Sequence, residues 1–512
     1  MYNFASVLDH NLARYPDKVV IKQGDRSITN RELHARVRAF AAGLRDRGVG
    51  RGDVVALLMY NHTEFLEVVF AVNRLGAAFL PLNYRLAPAE WQYILGHARA
   101  AAIVTEEQFA DDIEAIAADL PGLRHQILLG RPDRAPWLGY EQLVADHQDA
   151  DVPVADVGEH DLQRLMYTSG TTSRPKGVCI THGNVVWKQL GHIAEFGITA
   201  ADVTLVCGPL YHVGGLDLPG LGTLHVGGSL VVMERFEAAA AVQLVEQERP
   251  TNVWLAPAMM NAVLQLPDIL ERDTSSLRFI IGGGEKMPEP LVEKILRAFP
   301  NAWFSDAYGL TETVSGDTFN DTEHVLAKVG SVGRPVIHLE VRIVDETGAP
   351  VPQGQLGEIA LRGPKVSPGY WRDEAATAAA FRDGWFHTGD VGRLDEDGYL
   401  YVEDRKKDMI VSGGENIATP EVERVLYEHD GVVEAAVVGM PHPRWGEVPK
   451  AYVVLRADAA VDSAALREFC LARLAKFKVP AEFEFVAALP RTPSGKVLKR
   501  DLRAAVPETT AS

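Results

Sequence analysis

The segment Tyr167-Thr168-Ser169-Gly170-Thr171-Thr172-Ser173-Arg174-Pro175-Lys176-Gly177 gathers hydroxyls, glycines and a lysine into one short stretch. Glycine lets backbone N–H groups approach an anion closely, and Ser and Thr add donors. Lys176 adds a point charge. That is the chemistry a polyphosphate needs. An apolar run precedes the segment, and a helix is predicted from Asn184 onward. It is not a Walker A loop, because Gly177 rather than Ser or Thr follows the lysine.

The string resembles the signature loop of the adenylate-forming (AMP-binding) superfamily of acyl-CoA synthetases, peptide-synthetase adenylation domains and luciferases. Ser173 stands where that family usually has glycine. The likeness runs over nearly the whole chain, because further motifs follow in the family's order, and it is strongest to bacterial fatty-acyl and feruloyl-type CoA ligases. It implies an acid–CoA ligase: ATP and a carboxylic acid give acyl-AMP and pyrophosphate, then coenzyme A gives acyl-CoA and AMP. It also implies ATP contacts at Thr168, Ser169, Gly170, Thr171, Thr172 and Lys176, with Thr168 and Lys176 taking part in catalysis.

Each further motif has its own physical reading. Gly282-Gly283-Gly284-Glu285 follows the apolar run Phe279-Ile280-Ile281. A strand ending in glycines lets a ring pack flat on backbone, and in the family this segment lines the adenine and acyl sites. Glu285 stands where the family often has Ala. In Asp306-Ala307-Tyr308-Gly309-Leu310-Thr311-Glu312, Glu312 suits Mg²⁺, which takes one or two carboxylates plus phosphate oxygens. Thr311 can donate to phosphate, Tyr308 can stack on a nucleobase, and Asp306 can accept from an exocyclic amine. In Trp385-Phe386-His387-Thr388-Gly389-Asp390, Asp390 is the choice for the ribose hydroxyls. The resemblance adds Arg405 as a second ribose or phosphate contact.

Lys496 sits in Pro490-Arg491-Thr492-Pro493-Ser494-Gly495-Lys496, a loop from which a long cation can reach another domain. The matching family lysine bridges carboxylate and phosphate, where charge develops at phosphorus. Thioester formation needs room for a thiol instead, so a rotating C-terminal domain is expected. Lys407 occupies the family's hinge position. Ser412, Gly413, Gly414 and Glu415 would enter the site in the second conformation, the glycines leaving space for a pantetheine arm. Arg444, Trp445 and Lys478 are expected against the CoA nucleotide. Ala418-Thr419 replaces the family's usual Tyr at this point.

For the acid, Tyr211-His212-Val213-Gly214-Gly215 resembles the gating segment, with His212 beside the carboxylate. Trp254, Met259, Met260, Gly282, Val314 and Ser315 are expected wall residues with Val213 and Gly214. The glycines at 214, 215 and 282–284 predict a roomy slot for a fatty chain or an aromatic ring. Two rival readings are a ligase loading amino or aryl acids onto a carrier protein and a non-catalytic nucleotide-binding protein. Amino-acid activators usually carry Asp after an aromatic where this chain has Tyr211-His212, and Lys176, Glu312, Asp390 and Lys496 argue against a catalytically dead protein.

The elements that position these residues follow from periodicity. Leu33, Val37, Phe40, Ala41 and Leu44 predict a helix over 30–48, and 63–75 reads the same way. Apolar runs at 54–59, 77–82, 230–233 and 252–255 predict buried strands. Such alternation predicts an α/β fold with parallel-sheet layers. Period-two alternation at 339–344 and a strand at 358–361 predict a small antiparallel β element. Strands at 433–438, 451–455 and 482–486 and a helix at 466–474 predict a small mobile α+β domain. The expected domains are 1–403 and 404–512, divided at Asp404-Arg405-Lys406-Lys407-Asp408.

The 512 residues carry a net charge of −18, which excludes generic nucleic-acid binding. Residues 404–512 hold as many Lys and Arg as Asp and Glu, so the excess acid lies upstream. Cys179, Cys207 and Cys470 have no CxxC spacing, so neither disulfides nor zinc are expected, and a reducing cytoplasm fits. There is no signal-peptide pattern and no apolar run of membrane-spanning length, while peripheral lipid contact stays compatible. A monomer or homodimer is expected.

Overall fold

The structure is a computed structural model that describes residues 2–130, 135–168, 175–283, 289–405, 408–412, 415–442, 445–457, 459–491 and 497–505. Val54–Leu58, buried at all five positions, pairs in parallel with Ala78–Pro81 and Ala100–Thr105. Continuous apolar strands of this kind suit a sheet covered on both faces. Among the described residues the sheet has seven strands, and its last two form an antiparallel hairpin at one edge. These are β1 (Leu162–Thr168) and β2 (Lys176–Thr181).

A second sheet has nine strands among the described residues. Its interior is parallel and includes the neighbours β3 (Phe279–Gly283) and β4 (Trp303–Tyr308). Both its edges turn antiparallel. The helices follow the predicted apolar spacing. Asn30–Arg45 buries Leu33, Val37, Phe40, Ala41 and Leu44 behind a Thr29/Glu32 capping box. It stops three residues short of the predicted end, and the chain turns through Gly48 at φ 75°. Helix α1 (His182–Phe196) begins on a Thr181/Asn184 capping box and ends at left-handed Gly197.

A third sheet is antiparallel throughout and includes β5 (Trp385–Leu394) and β6 (Leu400–Arg405). The last sheet carries Ile410–Ser412, Glu415–Ile417, Val432–His442, Gly446–Leu455 and Glu482–Phe485, with helices α2 (Thr419–Tyr427) and α3 (Ser463–Leu471). It has its own apolar core of Ile410, Ile417, Val425, Val437, Val453 and Leu466.

The expected cut between Glu403 and Asp404 falls inside a strand. Val391 pairs with Asp404 and Asp390 with Arg405, so the third sheet runs on to Arg405 before the last sheet begins at Ile410. Asp404 then serves the next domain: its Oδ2 accepts from the Thr419 N–H and Oγ1 at 2.9 Å each. Ala418 has no side chain with which to cap α2, and the Asp404 carboxylate takes that place. Cys179, Cys207 and Cys470 are free thiols. Among the described residues, no helix is long and apolar enough to cross a membrane.

Candidate active site

The β1–β2 hairpin brings Thr168 opposite Lys176 and Tyr167 opposite Gly177. The two ends of the phosphate segment therefore stand side by side. Ser169, Gly170, Thr171, Thr172 and Ser173 lie outside the described residues, as do Gly284, Glu285, Lys407, Gly413, Gly414, Arg444 and Lys496. Gly177 has a local reason: a Cβ there would meet the Tyr167 ring at 2.9 Å. Tyr167 in turn is held by a 2.7 Å hydrogen bond with His97 Nδ1.

Lys176 leads to Glu312 through a residue the motifs do not mark. The Lys176 ammonium lies 5.0 Å from the centre of the Tyr370 ring, and the Tyr370 hydroxyl donates to Glu312 Oε1 at 2.9 Å. A cation over a π-face and a phenol on a carboxylate are both attractive contacts. Burial, reinforced by the Glu312 charge, pushes the Tyr370 phenol well up, so it stays a neutral donor. Its signal in the sequence is faint, an aromatic pair after Pro368-Gly369. Among the described residues no cluster of three His, Cys, Asp or Glu side chains is placed to hold a metal ion. The Glu312 carboxylate, held by the Tyr370 hydroxyl, is the donor type Mg²⁺ takes singly beside phosphate oxygens.

The residues expected to hold the nucleoside meet around β4. The Tyr308 hydroxyl donates to Asp390 Oδ2 at 2.7 Å, which ties the expected stacking ring to the expected ribose carboxylate. Burial and the Asp390 charge raise the Tyr308 phenol far above its ordinary value. Asp306 Oδ1 accepts from the Ala307 N–H at 3.1 Å. Arg405 is the strand partner of Asp390. Gly283, with φ 137°, has a reason other than the expected ring packing: a Cβ there would meet the Ala307 carbonyl oxygen at 2.3 Å. Gly309 is likewise crowded, with the Gly316 nitrogen 2.3 Å from its would-be Cβ. Thr311 and Glu312 occupy a single 3-10 turn, Thr311–Thr313.

On the acid side, His212 Nδ1 accepts from the Gly214 N–H at 3.1 Å, so the neutral ring carries its proton on Nε2. The ring stacks on Trp254 at 6.0 Å and 19°. The glycines of this segment have close neighbours of their own. Would-be Cβ atoms at Gly208 and Gly214 meet the Trp254 ring at 2.5 and 2.6 Å, and one at Gly215 meets the Pro209 carbonyl oxygen at 2.2 Å. The indole and a backbone carbonyl occupy the space the glycines vacate. Met260 and Val314 are 0% exposed. Met259 packs against the same cluster as Met260, and Val213 belongs to the core that also holds Val314. Gly282 pairs with Asp306 along β3, and Ser315 is nearly buried.

Residues 8–371 match the AMP-binding enzyme family, and residues 421–496 match the AMP-binding enzyme C-terminal domain. The chain belongs to that family. It is 41% identical to the feruloyl-CoA synthase of Amycolatopsis sp over 488 residues, 95% of this chain and 96% of that one. It is 37% identical to the indoleacetate–CoA ligase of Aromatoleum aromaticum over 505 residues, 98% of each chain. It superposes on a crystal structure of the anthranilate CoA ligase AuaEII in complex with anthranoyl-AMP with a TM-score of 0.91 and 28% identity, covering 98% of this chain and 97% of that one. Within the family the chain is an acid–CoA ligase, and its fold class is the one expected from the sequence.

The C-terminal domain of the ligase carries the residues expected to meet CoA. Ser412 is nearly buried and pairs with both Glu415 and Gly446. Trp445 is 43% exposed, and its backbone N–H donates to His442 Nδ1 at 3.2 Å. Lys478 is paired with Glu421 of α2 at 2.7 and 2.8 Å. Any contact of Lys478 with a phosphate therefore competes with that carboxylate.

Proposed function

We propose that the ligase condenses an aromatic or arylalkenoic acid with ATP and passes the acyl group to CoA. The observation that carries the site assignment is the Lys176–Tyr370–Glu312 chain of contacts beside the Tyr308–Asp390 pair. In this reading Lys176 and Glu312 serve the phosphates and Asp390 serves the ribose. In the first step a carboxylate oxygen attacks the α-phosphorus and pyrophosphate leaves. Ser169, Gly170, Thr171 and Thr172 receive the phosphates with Thr168 and Lys176, and Lys496 reaches the carboxylate–phosphate bridge. Mg²⁺, taken by Glu312, would supply charge neutralisation on the phosphates. In the second step the C-terminal domain turns about Lys407 and brings Ser412, Gly413 and Gly414 to the cleft. The CoA sulfur then attacks the acyl carbon and AMP leaves. His212 presents its Nε2–H near the carboxylate.

The choice of an aromatic acid rests on two supports. The relatives named above are ligases of ferulate, indoleacetate and anthranilate. The Trp254 plane, laid on Gly208 and Gly214 beside His212, favours a flat ring over a bulky chain. We place the reaction in the cytoplasm, where free thiols persist. A panel of benzoic, cinnamic, indoleacetic and fatty acids, assayed for CoA-dependent AMP release, tests the reading. Turnover of fatty acids above all aryl acids would reject the substrate class, and no pyrophosphate with any acid would reject the reaction.

A further inference from the structure

Immediately beyond Glu312 the backbone enters an unusual conformation. Val314, Ser315 and Gly316 follow one another at φ 58°, 60° and 63°. Left-handed geometry is disfavoured for side-chain-bearing residues, and most of all for a β-branched one such as Val314. Such strain persists only where its surroundings over-determine it. The single 3-10 turn holding Glu312 is too short to do so.

The restraint comes from Lys365. Its Nζ donates to the Ser315 carbonyl at 2.9 Å, the Gly316 carbonyl at 2.7 Å and Asp317 Oδ1 at 2.6 Å. Two of the three ammonium hydrogens are thus spent on the strained run and the third on the residue that follows it, at a site where Lys365 is 3% exposed and Asp317 0%. His192, its Nε2 donating to the Gly316 carbonyl at 2.9 Å, closes the run from the other side. Asp317 also accepts from the Thr313 hydroxyl. The segment carrying Lys365 is itself anchored. Asn184 Nδ2, at the start of α1, donates to the carbonyls of Pro364 and Val366 at 2.9 Å each. That segment also reaches Glu312 directly, through the Ser367 N–H on the Glu312 carbonyl at 2.7 Å and the Tyr370 hydroxyl on its carboxylate. A buried ion pair contributes little net stability over apolar side chains of similar volume. What the pair adds here is one backbone geometry out of several.

We propose that Lys365 is a positioning residue of the nucleotide site: it clamps the left-handed run 314–316 and thereby aims Glu312 at the phosphates. The clamp rests on the proposed function for its catalytic consequence, but its structural half stands apart from it. The test compares the full-length ligase with Lys365→Met combined with Asp317→Asn, which removes both charges together. Hydrogen exchange followed by mass spectrometry reads the amides of 310–318. They should exchange about tenfold faster in the variant, with the rest of the chain unchanged. Pyrophosphate formation should fall about a hundredfold, while CoA transfer from supplied acyl-AMP stays within about threefold, since displacements near 1 Å carry costs of that order. Lys365→Gln, which keeps a donor of similar reach, should show the same ordering at smaller amplitude and decides the matter if the double variant does not fold. Unchanged exchange at 310–318 in the folded variant, or a parallel loss of protection and of both half-reactions across the whole protein, overturns the proposal. If the wild type forms no pyrophosphate with any acid, the functional reading fails while the exchange measurement still decides the clamp.

Discussion

The two parts of the ligase differ in how deeply they bury their most enclosed ion pairs. In the N-terminal part, two ion pairs are fully enclosed, Arg164 with Asp217 and Lys365 with Asp317, while Tyr308 on Asp390 and Tyr370 on Glu312 are part-buried. In the C-terminal part, Lys478–Glu421, Arg491–Glu434 and Arg503–Asp408 pair at partly exposed positions. Buried pairs hold one geometry because leaving either partner alone is costly, whereas exposed pairs are exchanged for water at little cost. The difference matches the work proposed for each part: a preorganised nucleotide cleft, and a domain that must let go and turn. Asp404 stands between them, on the last strand of one part and capping the first helix of the other.

The contrast can be broken from either side. The largest effect is expected for Lys496→Ala, which should slow acyl-adenylate formation about a thousandfold. Thioester formation from supplied acyl-AMP should survive, and equal losses in both steps would end the idea that the C-terminal part serves them in turn. Tyr308→Phe removes the phenol that steadies Asp390, so the KM for ATP should rise about tenfold, with AMP binding weakened in step. A rise confined to the acid's KM would place Tyr308 on the wrong side of the cleft.

A smaller effect depends on pH. Lys188 is fully buried and donates to the Asp217 carbonyl. Burial pushes its ammonium down to about 7, helped by Lys365 and Arg164 and opposed by Asp217. Between about 7 and its ordinary value near 10.5, the unfolded chain binds more protons there than the folded one, so the folded state gains as pH rises through that window. The melting temperature of Lys188→Met relative to wild type should therefore become more favourable as pH falls from 10 to 7 and level off below. A difference independent of pH would show that the interior tolerates the charge. The smallest effect is expected for Lys478→Ala, whose exposed pair with Glu421 should contribute less than about 1 kcal/mol to stability. Its consequence, where it contacts CoA, belongs in the KM for CoA.

Much of the fold is legible in the amino-acid sequence itself. The strands at 54–58 and 252–254 and the helix at 30–45 announce themselves because burial on a sheet or helix imposes a local period. The antiparallel third sheet shows in the alternation at 340–344 for the same reason. Tyr370, Lys365 and His192 are not legible in this way, since each acts on a partner more than forty residues away. Glycine reports that something comes close, and at Gly208 and Gly214 a close neighbour is the Trp254 ring.

Residue type and order in this chain fix its family and reaction, and from them come the proposed phosphate segment, magnesium carboxylate, ribose carboxylate and distant lysine. Only the tertiary structure decided how those groups are held, with Tyr370 on Glu312, Tyr308 on Asp390 and Lys365 across the left-handed run. The reason is physical. Local periodicity is written along the chain, but which buried donor meets which acceptor depends on the packing of segments far apart in sequence.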